Sequence, residues 1–69
     1  MNISARNVLK GKVASITEGM VNAEVVVELP GGTKVVSVIT KSSAEGMGLK
    51  EGSEVCAVVK ASNVILMTE

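Results

Sequence analysis

The stretch Met20-Val21-Asn22-Ala23-Glu24-Val25-Val26-Val27-Glu28-Leu29-Pro30-Gly31-Gly32-Thr33-Lys34-Val35-Val36-Ser37-Val38-Ile39-Thr40 decides the fold. Val21, Ala23, Val25, Val27 and Leu29 fall on one side of an extended chain, and Met20, Asn22, Glu24, Val26 and Glu28 on the other. One face is apolar and the other half polar, which predicts a strand packed on one side only. Pro30-Gly31-Gly32 cannot continue a ladder and supplies a tight turn. Residues 33–40 should therefore fold back as a hairpin partner. Val35-Val36 and Val38-Ile39 put apolar groups on both faces of this third strand, so one face covers the core and the other needs a cover, such as a neighbouring subunit.

Outward from this hairpin the pattern continues. Leu9, Gly11 and Val13 alternate with Lys10, Lys12 and Ala14, which predicts a first strand with one face inward. Ile16 breaks that phase, so a bulge is expected near Ala14-Ser15, and Gly19 allows a turn. After Thr40 the period changes. Ser42-Ser43-Ala44-Glu45 matches a capping box, with Ser42 as the cap of a short helix, Glu45 reaching back, and Gly48 ending it. Leu49-Lys50-Glu51-Gly52 is a turn. Residues 54–60 alternate again, with Val55, Ala57 and Val59 opposite Cys56 and Val58. Val64-Ile65-Leu66-Met67 is expected to be a last short strand. This order predicts an all-β chain, a five-stranded OB-fold-like barrel with one short helix between strands 3 and 4. An SH3-like barrel is the competing architecture.

Composition agrees and narrows the function. Thirteen valines, no aromatic residue and seven glycines suit short strands and turns. A chain of 69 residues is one small domain, and such a domain buries only about 60% of its unfolded surface. It needs a stabiliser. With one cysteine, Cys56, and no histidine, neither a disulfide nor a zinc staple is available. Self-association remains, and 46% hydrophobic residues are more than so small an interior hides. Seven basic and seven acidic side chains cancel, so no nucleic acid or membrane partner is expected from charge. The absence of aromatic stacking platforms argues further against single-stranded nucleic acid. Neither a signal peptide nor a membrane span is read in the chain, and the cytoplasm is the expected compartment.

The chain has no histidine, aspartate or tyrosine, so no general acid–base or nucleophilic machinery is legible, and no enzyme is expected. Glu24, Glu28 and Glu54 fall at outward strand positions, as solvated surface. Oxyanion binding fits the remaining chemistry. Ser4-Ala5-Arg6-Asn7 holds the single arginine of the chain between a hydroxyl and a carboxamide. Thr40-Lys41-Ser42-Ser43 and Lys60-Ala61-Ser62 again combine hydroxyls and lysine without a carboxylate. A fully ionised tetraoxo anion accepts hydrogen bonds at every oxygen and donates none, so it suits such donors. If Ser42 caps the helix, the N–H groups of its first turn add to them. Hydrogen phosphate, whose proton needs an acceptor, is disfavoured; molybdate and tungstate share charge and shape. Each piece also has an ordinary account, as a solvated terminus, a turn with its cap, or a strand end. The three segments become a site only if the fold or another subunit brings them together.

Ser4-Ala5-Arg6-Asn7 followed by Leu9, Gly11 and Val13, then Ile39-Thr40 with Ser43-Ala44, Leu49-Lys50-Glu51-Gly52 and Lys60-Ala61-Ser62, resembles the molbindin or Mop family, in its stand-alone small form of the clostridial type. The resemblance covers essentially residues 1–69, leaving nothing over for the transporter ATPase or DNA-binding regulator to which such a domain is elsewhere fused. It implies an OB-type barrel, a homohexamer built as a trimer of dimers, and molybdate or tungstate bound between subunits for intracellular storage and homeostasis. By that likeness Ser4, Ala5, Arg6, Thr40, Ser42, Ser43, Lys60, Ala61 and Ser62 form the anion site. The 4–6 segment would come from a different protomer than the 60–62 segment. A second oxyanion site, near a threefold axis, falls by the same likeness at Gly19, Met20 and Val21. Pterin, another ligand attributed to such proteins, would need a stacking surface that an aromatic-free chain does not offer. The alternative is an oligomeric scaffold or interaction module without a specific anion.

Overall fold

A computed structural model describes residues 4–69. The elements in order are β1 (Asn7–Glu18), β2 (Asn22–Glu28), β3 (Lys34–Thr40), α1 (Lys41–Gly46), β4 (Glu54–Val59) and a 3-10 turn, Ala61–Asn63. The four strands form one antiparallel sheet in the order β3-β2-β1-β4.

β1 organises the sheet because it pairs on two sides with different halves of its length. Asn7 to Lys12 run opposite β4, from Val59 down to Glu54, while Lys12 to Glu18 run opposite β2, from Glu28 to Ala23. The change of partner curls the sheet into a half-barrel. Two local features permit it. The register shifts between Val13 and Ser15, so Ala14 is the extra residue of a bulge, where the broken phase at Ile16 predicts one. At Gly11 the backbones approach so closely that an added Cβ would lie 2.5 Å from the Glu28 carbonyl oxygen. Only glycine fits there.

The core follows from the alternation in β2. Ala23, Val25 and Val27 are buried together with Val13, and Ile16, Leu29, Ile39, Leu49 and Val55 pack around that cluster. Val21, expected on this inward row, is exposed, because it belongs to the β1–β2 turn and β2 begins only at Asn22. Leu9 is also exposed, since the half of β1 that carries it extends past the end of β2. On β3, Val35 and Ile39 face the core, and Val36 and Val38 lie bare on the other side.

Two expectations need correction. The helix is capped by Thr40 and not by Ser42: the Thr40 side chain accepts from the Ser43 N–H at 3.1 Å. The reason lies one residue further on, where the Lys41 N–H is bound to the Val21 carbonyl at 2.7 Å, so β3 ends and the helix starts at the Thr40–Lys41 step. Ser42 is thus inside α1. The helix closes at Gly46, and the chain leaves it through Gly48 at φ +63°, the left-handed region that favours glycine.

The second correction concerns the expected fifth strand. Residues 64–67 pair with nothing among the described residues, so the sheet has four strands. The 3-10 turn, closed by Asn63 N–H to Lys60 carbonyl at 2.8 Å, redirects the chain after β4. The residues beyond it show no polar–apolar alternation with which to choose a face. Ile65, Leu66 and Met67 are 93%, 88% and 90% exposed.

Candidate functional site

The donor-rich segments occupy two ends of the molecule. At one end β1 begins and β4 finishes. Asn7 stands opposite Val59, and its side-chain amide donates to the Val59 carbonyl at 3.2 Å. Directly beyond this pair lie residues 4–6 on one strand and 60–62 on the other. The register therefore sets Arg6 and Lys60 just past the last pair of one chain, with Ala5 and Ser4 on one side and Ala61 and Ser62 on the other continuing from them. All are exposed except Ala5, which is half-buried. Among the described residues neither Arg6 nor Lys60 pairs with a carboxylate, so their charges stay available to an anion.

At the other end β1 finishes, β2 begins and β3 runs into α1. Here three hydroxyls cluster. Thr40 Oγ1 accepts from the Ser43 N–H, donates to Ser43 Oγ at 2.7 Å and stands 3.5 Å from Ser42 Oγ. Because Thr40 spends its proton on Ser43, the Ser43 hydroxyl keeps its own proton to give outward. Thr40 and Ser42 line a depression of about 400 Å³ with Met20, Val21, Lys41 and Glu45. Met20 and Val21, assigned by likeness to a second site, thus share one hollow with the hydroxyls. The Lys41–Val21 backbone bond ties the two segments, and Gly19 closes their turn through its N–H to the Asn22 carbonyl at 2.8 Å.

Glu45 was not singled out as a neighbour of this site. The Ser42-Ser43-Ala44-Glu45 run reads as a capping box, which assigns its carboxylate to the backbone. Lys41 lies 3.9 Å from Glu18 across the depression's edge, both side chains being substantially exposed. A larger groove of about 930 Å³ lies beside the Gly11 bend. Lys10 and Lys12 line it together with Glu28 and Glu54, so its charges balance.

What the fold does not do is join the two ends. β1 is 12 residues long, about 36 Å if it were straight at roughly 3.3 Å per residue, and the molecule measures 34 × 28 × 22 Å. The pairings of β1 set Ser4, Arg6, Lys60 and Ser62 at the opposite end of the sheet from Thr40 and Ser43 of their own chain. No helix among the described residues is long and apolar enough to cross a membrane.

Comparison with known proteins finds relatives over nearly the whole chain. The molybdenum-pterin-binding protein 3 of Clostridium pasteurianum is 52% identical over 67 residues, 97% of this chain and 98% of its own. A molybdate-binding protein from Sporomusa ovata superposes with a TM-score of 0.93 at 37% identity, over 99% of this chain and 100% of that one. The cytoplasmic molybdate-binding protein ModG, in a crystal form with molybdate bound, gives a TM-score of 0.92 at 51% identity, over 94% of this chain and 46% of its own. With the TOBE domain model matching residues 3–66 as well, the chain belongs to the TOBE-domain family, among its small molybdenum-binding Mop members.

Proposed function

We infer that the chain is a single Mop domain over residues 1–69 and binds molybdate, with tungstate as an equivalent ligand, for intracellular storage and homeostasis of the oxyanion and without catalysis. The observation that carries the reading is the placement of two donor sets, the first with no carboxylate among its residues, at opposite ends of β1. One set brings the cations Arg6 and Lys60 with Ser4 and Ser62; the other brings the hydroxyls of Thr40, Ser42 and Ser43. Each set alone is half of a shell for a tetrahedral dianion. Two copies placed end against end complete it.

The geometry favours a division in which residues 4–6 and 60–62 come from one copy and residues 40–43 from another. This replaces the division between the first two segments that family likeness implies. Self-association has independent support in the bare apolar surface of Val36, Val38, Ile65, Leu66 and Met67. A homohexamer built as a trimer of dimers, in the cytoplasm, is the assembly this reading adopts. The same surface also suits a scaffold without an anion ligand, so the test has to read the anion.

Titration with molybdate, tungstate, sulfate and phosphate should show thermal stabilisation by the first two. Arg6→Ala should weaken binding more than Lys10→Ala, since Lys10 lies outside both donor sets. A mixing experiment then tests the shared site. Chains carrying Arg6→Ala and Lys60→Ala, and chains carrying Thr40→Ala and Ser43→Ala, should each fail to bind. Unfolded, mixed equally and refolded, they should recover about one quarter of the wild-type sites, because half of each kind of end is intact and ends pair at random. A flat response to all four anions leaves the scaffold reading, and recovery of no sites after mixing refutes the division between chains.

A further inference from the structure

The hollow at the β1–β2 turn contains a group that oxyanion chemistry does not ask for. Beside the hydroxyls of Thr40 and Ser42 and the ammonium of Lys41, it is lined by Glu45. Lys41 is already within 3.9 Å of Glu18. Lys41, Glu18 and Glu45 together leave this end of the chain with one negative charge in excess. A dianion seated here meets hydrogen-bond donors and repulsion at once.

We propose that Glu45 sets the affinity and the charge preference of the oxyanion site: its carboxylate holds the anion loosely enough to be given up, and it opposes a dianion more than a monoanion of the same shape. The proposal rests on the reading of residues 40–43 as half of the site. Lys41 is the one cation of the hollow and is shared with Glu18, so the further cations come from the other copy's Arg6 and Lys60.

The size of the effect follows from the spacing of Ser42 and Glu45. Ser42 and Glu45 are three residues apart on α1 and so neighbours on its surface, which puts an anion held by Ser42 on the order of 8 Å from the carboxylate; at an effective dielectric of about 60 the repulsion of a dianion weakens binding about tenfold. The Coulomb term is proportional to the anion's charge, so a monoanion loses only about threefold. Hydroxyl donors recognise oxygens whatever the charge, and any general disturbance of α1 acts on both anions alike. Charge dependence is therefore the signature that separates Glu45's role from a structural one.

The test uses the full chain, with wild type, Glu45→Gln and Glu51→Gln titrated calorimetrically with molybdate and with perrhenate, tetrahedral oxyanions of charge −2 and −1, at one ionic strength. Glu51 is exposed on the turn before β4 and outside the hollow. Glu45→Gln should bind molybdate about tenfold and perrhenate about threefold more tightly, raising the preference for molybdate about threefold. Glu51→Gln should match wild type with both anions. Equal gains for the two anions, no gain, weaker binding, or the same gain in Glu51→Gln each overturns the proposal. If wild type binds neither anion and Glu45→Gln does not either, the oxyanion reading itself falls, and this inference with it.

Discussion

Replacing Gly11 with alanine should cost the fold about 2–3 kcal/mol, and the figure can be worked from the bend in β1. The new methyl carbon would stand 2.5 Å from the Glu28 carbonyl oxygen, 2.8 Å from Val27 Cγ1 and 3.1 Å from Leu29 Cδ2. A carbon and a carbonyl oxygen normally approach no closer than about 3.3 Å, so β1 and β2 must part by nearly an ångström where the Lys12–Glu28 pair ends their ladder. Forced packing of this kind costs about 1–3 kcal/mol, and a weakened ladder hydrogen bond adds about 1 kcal/mol. Alanine's smaller unfolded-state entropy returns about 0.4–1 kcal/mol. For a domain of this size each kcal/mol moves the midpoint by about 4–8 °C, so Tm should fall by about 10–20 °C. Thermal unfolding followed by circular dichroism, at matched protein concentration, reads the shift. A Tm within about 2 °C of wild type would show that the strands can separate there without loss, and would remove Gly11 as the reason the sheet bends.

Gly46→Ala is the counterpart: an added Cβ meets nothing within 4 Å in α1, so the same unfolding measurement should show a gain of up to about 1 kcal/mol. Thr40→Ala removes the helix cap and a hydroxyl of the proposed site together, so stability should fall by about 1 kcal/mol with a loss of molybdate-induced stabilisation, whereas Thr40→Ser should retain both. Leu66→Asp changes a residue that is 88% exposed in the single chain; light scattering should show a smaller assembly, with little loss of sheet signal by circular dichroism.

The strands that bury one face were legible because their signal is local. Ala23, Val25 and Val27 alternate with polar neighbours, and the structure buries those three. The bulge at Ala14 was legible for the same reason, since one broken phase demands one extra residue. The cap was misplaced because Ser42-Ser43-Ala44-Glu45 and Thr40-Lys41-Ser42-Ser43 both offer a hydroxyl before a helical turn. What chose between them is the Lys41–Val21 hydrogen bond, which joins residues 20 positions apart and leaves no trace in either run. The last segment failed differently. Val64-Ile65-Leu66-Met67 has the composition of a strand, and composition alone names no partner edge.

The same long-range geometry governs the site. Residue types identified the donors, because hydroxyls and cations without carboxylates suit an oxyanion wherever the chain goes. Grouping them required β1's pairing. Its first half brings residues 4–6 to residues 60–62, and its second half, with β2 and β3, carries residues 40–43 to the far end. A first strand of half the length would have left all three segments within reach of one another, and one chain could then have enclosed an anion. Gly11 and the Ala14 bulge are what let a 12-residue strand serve two partners. The features that curl the sheet are therefore also the ones that separate the donor sets, and a site built from both sets has to be shared between copies.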